Sequence, residues 1–297
     1  MELSLHLGAH RTGSTAIEKT LLESRKYLRG QGVAIWPNEK LRQMKGFNLV
    51  GDAKNGPAAK VAFGEAWDRV GLARLVICEE NMLGTMQDNI GRAAFYPDLP
   101  QRMARYRDFL PVAVGRIGIG IREYAGFWTS CYAYVLARKA LPAFGGVLGE
   151  RGWCDLIGDL RSAFPAAEIM VWTLEDVKAD LAGVSGRLAG VPFGGLKAVT
   201  RAVNAAPDAG YIPAMLALRA REPDLGAEAL RVALAGMAKV AGYSLFSEAE
   251  RAELAERYAR DMAALAAGFA GVRMMAAQTG GFTPLAHSSV RGPLAHR

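Results

Sequence analysis

The sequence predicts an α/β fold, a three-layer α/β/α arrangement around a central parallel sheet of about five strands with a helical C-terminal third. Short runs rich in Val, Ile and Leu alternate with longer stretches of helical periodicity, the pattern of strands buried on both faces and joined by helical crossovers. After residue 190 the strand-like runs stop and only helical patterns follow. With 297 residues, 51% of them apolar, the chain can bury a substantial core, and 22% charged residues excludes a disordered polymer or a coiled-coil rod.

Strands are expected at 3–8 (LSLHLG), 33–36 (VAIW, closed by Pro37), 74–78 (RLVIC), 114–121 (VGRIGIGI) and 168–173 (EIMVWT). The fourth is the least regular, because Gly115, Gly118 and Gly120 offer no side chain to pack. Helices are expected between them. Residues 14–29 place Ile17, Leu21 and Leu28 on one side, and 98–110 place Met103, Tyr106 and Leu110 on one face behind an Asp98–Gln101 capping pair. Further helices are expected at about 124–139, 153–164, 175–187, 211–221, 227–240 and 247–269. In the last, Ser247 and Glu250 form a capping box, and Leu254, Tyr258, Met262 and Leu265 line one side. The whole reads as one domain over 1–278, its helical part at 190–270, with a flexible tail over 279–297 that carries Gly, Pro and Ser and no periodicity.

Thirty-six basic against 29 acidic residues give a net charge of +7, a sign that suits an anionic small molecule as well as nucleic acid or membrane. The arginines are dispersed and no RNA or DNA motif occurs, so nucleic acid is not an expected partner. Cys78, Cys131 and Cys154 form no CxxC pair, and with four histidines there is no zinc-like cluster, so no metal is expected. The N-terminal stretch lacks the basic opening and apolar run of a secretory signal, and no segment reads as a membrane span. The expected location is the cytoplasm; the oligomeric state is not readable.

The most informative stretch is 5–17, LHLGAHRTGSTAI. An apolar strand runs into Gly8-Ala9-His10-Arg11-Thr12-Gly13-Ser14-Thr15, and a helix begins there. Two glycines five apart let the backbone fold tightly, so that successive N–H groups and the helix N-terminus point at one spot, which favours a phosphate. The spacing matches the GxxxxG half of a nucleotide P-loop, but Ser14 stands where such a loop has its Lys, and the cation lies inside the loop at Arg11. A metal-dependent kinase or NTPase is thereby disfavoured. The plain alternative is a tight, well-capped strand-to-helix turn.

A second anion motif follows the fourth strand. Arg122 leaves it, and Ser130 lies eight residues on, along the next helix, so a guanidinium fork and a hydroxyl can converge on one anion. The bland alternative is a structural ion pair. Together the two motifs resemble those of sulfotransferases that use 3′-phosphoadenosine 5′-phosphosulfate (PAPS). The first resembles their 5′-phosphosulfate loop, and the Arg-x7-Ser pair their 3′-phosphate site. Leu75–Asn81, Ile169–Asp176 and the Phe246, Leu254, Tyr258, Asp261 helix are similar to further stretches of bacterial members. Coverage is about residues 1–270.

The resemblance implies a P-loop-type fold and transfer of a sulfuryl group from PAPS, as co-substrate, to a hydroxyl or amine of a small-molecule or glycan acceptor. It implies that Arg11, Thr12, Gly13, Ser14 and Thr15 hold the 5′-phosphate end, and Arg122 and Ser130 the 3′-phosphate. Arg11 would also act in catalysis, with Glu80 or His10 as the base. The departures are plain. The usual loop Lys is Arg11, which can clamp but is a poor proton donor. The adenine-stacking Trp falls at Ala16, and the Gly-rich closing segment has only Lys197 and Arg201 as candidates. Two other functions stay open: a catalytically weak or inactive sulfotransferase-like nucleotide-binding protein, and a P-loop small-molecule kinase. Trp128, Tyr132 and Tyr134 read as packing rather than a stacking platform.

Overall fold

The computed structural model describes residues 1–44, 57–145, 149–200 and 205–275. Its centre is an all-parallel sheet of six strands: β1 (Glu2–Gly8), β2 (Val33–Trp36), β3 (Arg74–Cys78), β4 (Val114–Ile121), β5 (Glu168–Thr173) and β6 (Arg273–Met274), in the order β2-β3-β1-β4-β5-β6. The five expected strands are all present. The sixth is an addition: two residues that pair in parallel with Met170 and Val171 on β5. So short a strand carries no periodicity of its own and exists because β5 offers it an edge.

The helices are α1 (Ser14–Glu23), α2 (Arg25–Gly30), α3 (Asn38–Arg42), α4 (Pro57–Asp68), α5 (Met86–Gly91), α6 (Leu99–Phe109), α7 (Tyr124–Leu136), α8 (Trp153–Ala163), α9 (Leu174–Ala179), α10 (Leu181–Ala189), α11 (Ile212–Arg221), α12 (Ala227–Ala235) and α13 (Glu248–Ala266). Strand side chains alternate cleanly between the two helical layers. Leu3, Leu5, Leu7, Ile117, Ile119, Ile169 and Val171 face a core built with α6, α7, α8 and α13. Val33, Val76, Cys78, Met170 and Trp172 face a second core built with α1 and α10. Strands buried on both faces account for the near-continuous apolar runs in the sequence. A third cluster joins Tyr132 and Leu136 of α7 to Ile212, Met215, Leu230 and Leu234 of α11 and α12.

Several boundaries differ from expectation. The 14–29 helix is broken at Ser24 and the 175–187 helix at Asp180, whose side chain instead caps α10 by accepting from Gly183 N. The helix expected over 227–240 ends at Ala235. Asp98 makes no side-chain cap; its carboxylate pairs with Arg92 at 2.6 Å. The Ser247–Glu250 box is formed, with Ser247 Oγ accepting from Glu250 N at 3.3 Å and Glu250 Oε2 accepting from Ser247 N at 2.7 Å. Gly118 and Gly120 serve close approach: a Cβ at Gly118 would lie 2.6 Å from the Trp172 ring, and one at Gly120 2.5 Å from Thr12 Oγ1. The irregular fourth strand is thus the strand against which the site is packed. Among the described residues no helix is long and apolar enough to cross a membrane. The expected tail over 279–297 lies outside the described residues.

Candidate active site

The helix after β1 packs on one face of the sheet and the helix after β4 on the other, so the adjacent carboxyl ends of β1 and β4 form a switch point, where open α/β sheets bind ligands. A cavity of about 900 Å³ opens there.

The floor of the cavity is the loop from β1 to α1. Gly8, Ala9, Arg11 and Gly13 all have positive φ (71°, 48°, 64° and 89°). A loop that enters the left-handed region so often can turn its N–H groups towards one side, a concave anion seat. For Ala9 and Arg11 this conformation costs about 1 kcal/mol each. The surroundings fix it. A Cβ on Gly13 would lie 2.8 Å from Val177 Cγ1, so only glycine fits against α9. Thr12, fully buried, donates its hydroxyl to the Ala9 carbonyl at 2.7 Å. His10 N donates to the Tyr96 hydroxyl at 3.0 Å. The His10 ring engages both its nitrogens, Nδ1 with Tyr96 Oη at 2.8 Å and Nε2 with Asn81 Oδ1 at 3.1 Å.

The two motifs meet. Arg11 Nε donates to Ser130 Oγ at 3.1 Å, and Arg122 Nη1 donates to the Arg11 carbonyl at 3.3 Å. The Arg11 guanidinium lies 4.7 Å from the Tyr134 ring centroid. Burial pulls its pKa below the ordinary arginine value, Cys131, Tyr134 and Glu80 oppose this, and Arg122 adds to it. The loop and the Arg122–Ser130 pair are thus linked side by side along one cavity. Glu80 stands opposite, its Oε2 accepting from Ser14 Oγ at 2.6 Å.

Of the residues singled out in the sequence, His10, Arg11, Gly13, Ser14, Thr15, Glu80, Arg122 and Ser130 all line this cavity. Thr12 does not: its hydroxyl is turned inward to the loop's own carbonyls. Ala16 lines the cavity, whereas Lys197 is exposed and does not line it, and Arg201 lies outside the described residues. Trp128 and Tyr132 are buried packing, as expected. The sequence reading missed Lys178 on α9 and Arg251 on α13, which also line the cavity. Lys178 lies two residues after the Glu175-Asp176 pair, a nearness that could have pointed to it; Arg251 gives no such signal. Among the described residues the lining carries four cations, Arg11, Arg122, Lys178 and Arg251, against the single carboxylate of Glu80.

No protein-family model matches the chain, and no curated protein matches it. Among solved structures it is similar to a sulfotransferase from Alicyclobacillus acidocaldarius, at 16% identity and a TM-score of 0.39, over 80% of this chain and 97% of that one.

Proposed function

We propose that the chain is a sulfotransferase that binds PAPS in this cavity and transfers its sulfuryl group to a hydroxyl or amine of a small-molecule or glycan acceptor. What supports this reading above all is the meeting of the loop and the Arg122–Ser130 pair, with Arg11 bonded to Ser130 and Arg122 to the Arg11 carbonyl in one cavity. A nucleotide with anions at both its 3′ and 5′ positions uses both motifs, whereas one without a 3′-phosphate leaves Arg122 idle.

The chain's residues then have distinct tasks. The loop N–H groups with Ser14 and Thr15 seat the 5′-phosphate, Thr12 holding the loop in shape from behind. Arg122 and Ser130 take the 3′-phosphate. Arg11 neutralises charge that gathers on the leaving phosphate oxygen, the kind of preorganised stabilisation that group transfer needs most. As the acceptor oxygen or nitrogen bonds to sulfur, the bond from sulfur to the bridging oxygen breaks, its electron pair stays on the phosphate, and the acceptor's proton passes to a base. Glu80 suits that role better than His10, whose ring nitrogens are both engaged.

Calorimetric titration with adenosine 3′,5′-bisphosphate, adenosine 5′-phosphate and ATP tests the donor site. The bisphosphate is expected to bind tightest, and Arg122→Ala to weaken it about ten- to a hundredfold, the worth of a charge-assisted contact. Equal binding of all three, or a magnesium-dependent preference for ATP, ends this reading. Transfer of labelled sulfate from PAPS to a panel of sugars and phenols then tests catalysis.

A further inference from the structure

Behind the loop lies a second, much smaller cavity of about 10 Å³, walled by His6, Ser14, Glu18, Asn38, Glu79 and Glu80. Ser14 and Glu80 line the large cavity too, so their hydrogen bond is the partition between the two spaces. Most polar atoms around the chamber are spoken for. Glu79 takes Arg42 on both its oxygens, at 2.8 and 2.9 Å, and the Asn81 N–H at 2.9 Å. Glu18 accepts from Asn38 N at 2.9 Å and Asn38 Nδ2 at 3.3 Å. One atom is not: Nε2 of His6, a residue 2% exposed, has no hydrogen-bond partner among the described residues. A buried ring nitrogen left so is unfavourable, and a polar space of about 10 Å³ is about the size that admits one water.

We propose that this chamber holds one water joining His6 Nε2 to Glu18 and Glu80, and that Glu18 is a positioning residue that receives, through this water, the proton Glu80 takes from the acceptor. The proposal rests on the sulfotransferase reading for the source of that proton. The acceptor's O–H or N–H bond breaks as its bond to sulfur forms, and Glu80 takes the proton. The water accepts that proton and gives one of its own to the Glu18 carboxylate, and Glu80 is ionised again. Glu18, which lines the chamber and is half-buried, returns the proton to solvent. The proton thus leaves behind the loop while both substrates still fill the front.

The groups facing Glu18 favour this exchange. Its own burial pushes its pKa from 4.5 up to about 7; the Asn38 N–H opposes the rise, the charges of Glu80 and Glu79 add to it, and Arg42 on α3 opposes it. A carboxyl near 7 both takes and releases a proton at neutrality. From β1, His6 is held neutral, burial pulling it down to about 4 against the charge of Glu80. From β3, burial raises the Cys78 thiol well above its ordinary value, so it stays protonated.

Carbon-13 NMR of the glutamate carboxyls in the full chain, titrated from about pH 5 to 9, reads the coupling directly. One glutamate is expected to titrate near 7, to vanish in Glu18→Gln, and to shift to lower pH in Glu80→Gln, where the neighbouring charge is gone. A high-resolution crystal structure is expected to show a water within about 3.2 Å of His6 Nε2. In transfer assays Glu18→Gln is expected to keep its affinity for adenosine 3′,5′-bisphosphate. It should lose about tenfold in turnover at pH 7 together with the inflection near 7 in the pH–rate profile, and Glu18→Asp should restore part of both. A dry chamber, a Glu18 midpoint indifferent to Glu80→Gln, or an unaltered pH profile in Glu18→Gln overturns the relay; the second of these holds even if Glu18→Gln does not fold. A wild-type chain that ignores the bisphosphate overturns the donor reading and the relay with it. One that binds it while Glu18→Gln keeps the profile overturns the relay alone.

Discussion

His6 and Glu18 line the same small chamber, and burial drives their titrations in opposite directions, His6 from 6.5 down to about 4 and Glu18 from 4.5 up to about 7. Each has a consequence for stability, and the signs differ. Unfolded His6 takes a proton below 6.5 whereas folded His6 refuses it until about 4, so stability is lost as pH falls through that window. Unfolded Glu18 ionises above 4.5 whereas folded Glu18 keeps its proton to about 7, so stability is lost as pH rises between those values. At about 1.4 kcal/mol per pH unit each effect reaches roughly 3 kcal/mol, and between 4.5 and 6.5 they cancel. Glu18→Gln removes one side of the balance. The variant is expected to be more stable than wild type above pH 7, and to lose stability on acidification from 6.5 to 4 where wild type holds nearly level. Urea unfolding at half-unit pH steps measures this, and parallel curves for the two proteins would refute it. Glu18 was within reach of the sequence: it lies four residues after Ser14 on the same helix and therefore on the same face. Its partner Glu80 comes from 62 positions further on, and that pairing exists only in the fold.

At the scale of elements, the strands were the most legible part, because β1 to β5 are buried on both faces and each reads as an apolar run with few interruptions. Helix ends were less so. Asp98 carries the residue type of a cap, yet a nearby Arg92 offers its carboxylate a better partner than the helix N–H groups do. Nor did composition reveal the use of the glycines in β4. They read as weakness, but Gly120 is the floor under Thr12, and Thr12 holds the loop by donating to the Ala9 carbonyl. Gly120→Ala would press a methyl group to 2.5 Å from Thr12 Oγ1 and 2.9 Å from Trp172 Nε1. The strand itself tolerates alanine, so the damage should pass to the loop: about 1–3 kcal/mol of stability from overpacking, and a loss of bisphosphate affinity beyond what the stability loss explains. Calorimetry on the folded variant, with circular dichroism to show that its secondary structure is kept, decides the point. Undiminished affinity would mean that the loop does not depend on Thr12 for its shape.

The whole molecule contributes what no single motif holds. The loop and the Arg122–Ser130 pair were readable because each is local, a turn with its glycines and a strand exit with its following helix. That Arg11 reaches Ser130, 119 residues away, and that Lys178 and Arg251 line the same cavity, depend on how α7, α9 and α13 pack around the carboxyl ends of the strands. One brace ties these layers to the site. Asp261 on α13 accepts from the Tyr124 hydroxyl at the start of α7 and from the Trp153 N–H of α8 at 3.0 Å, while Trp153 Nε1 donates to the Arg122 carbonyl at 2.8 Å. Burial, then the bond to Asp261, raises the Tyr124 hydroxyl far above its ordinary pKa, so it remains a donor at any ordinary pH. Asp261→Ala removes the acceptor at the centre of this chain and leaves the Tyr124 hydroxyl proton with no partner there. A loss of about 1–3 kcal/mol in stability is expected from the unmade bond alone. Because Trp153 also anchors Arg122, bisphosphate binding should weaken several-fold although Asp261 does not line the cavity, and binding of a nucleotide without a 3′-phosphate should be unaffected. That asymmetry separates a brace on Arg122 from general loosening, which would weaken both ligands alike and remove Asp261 from any part in the site.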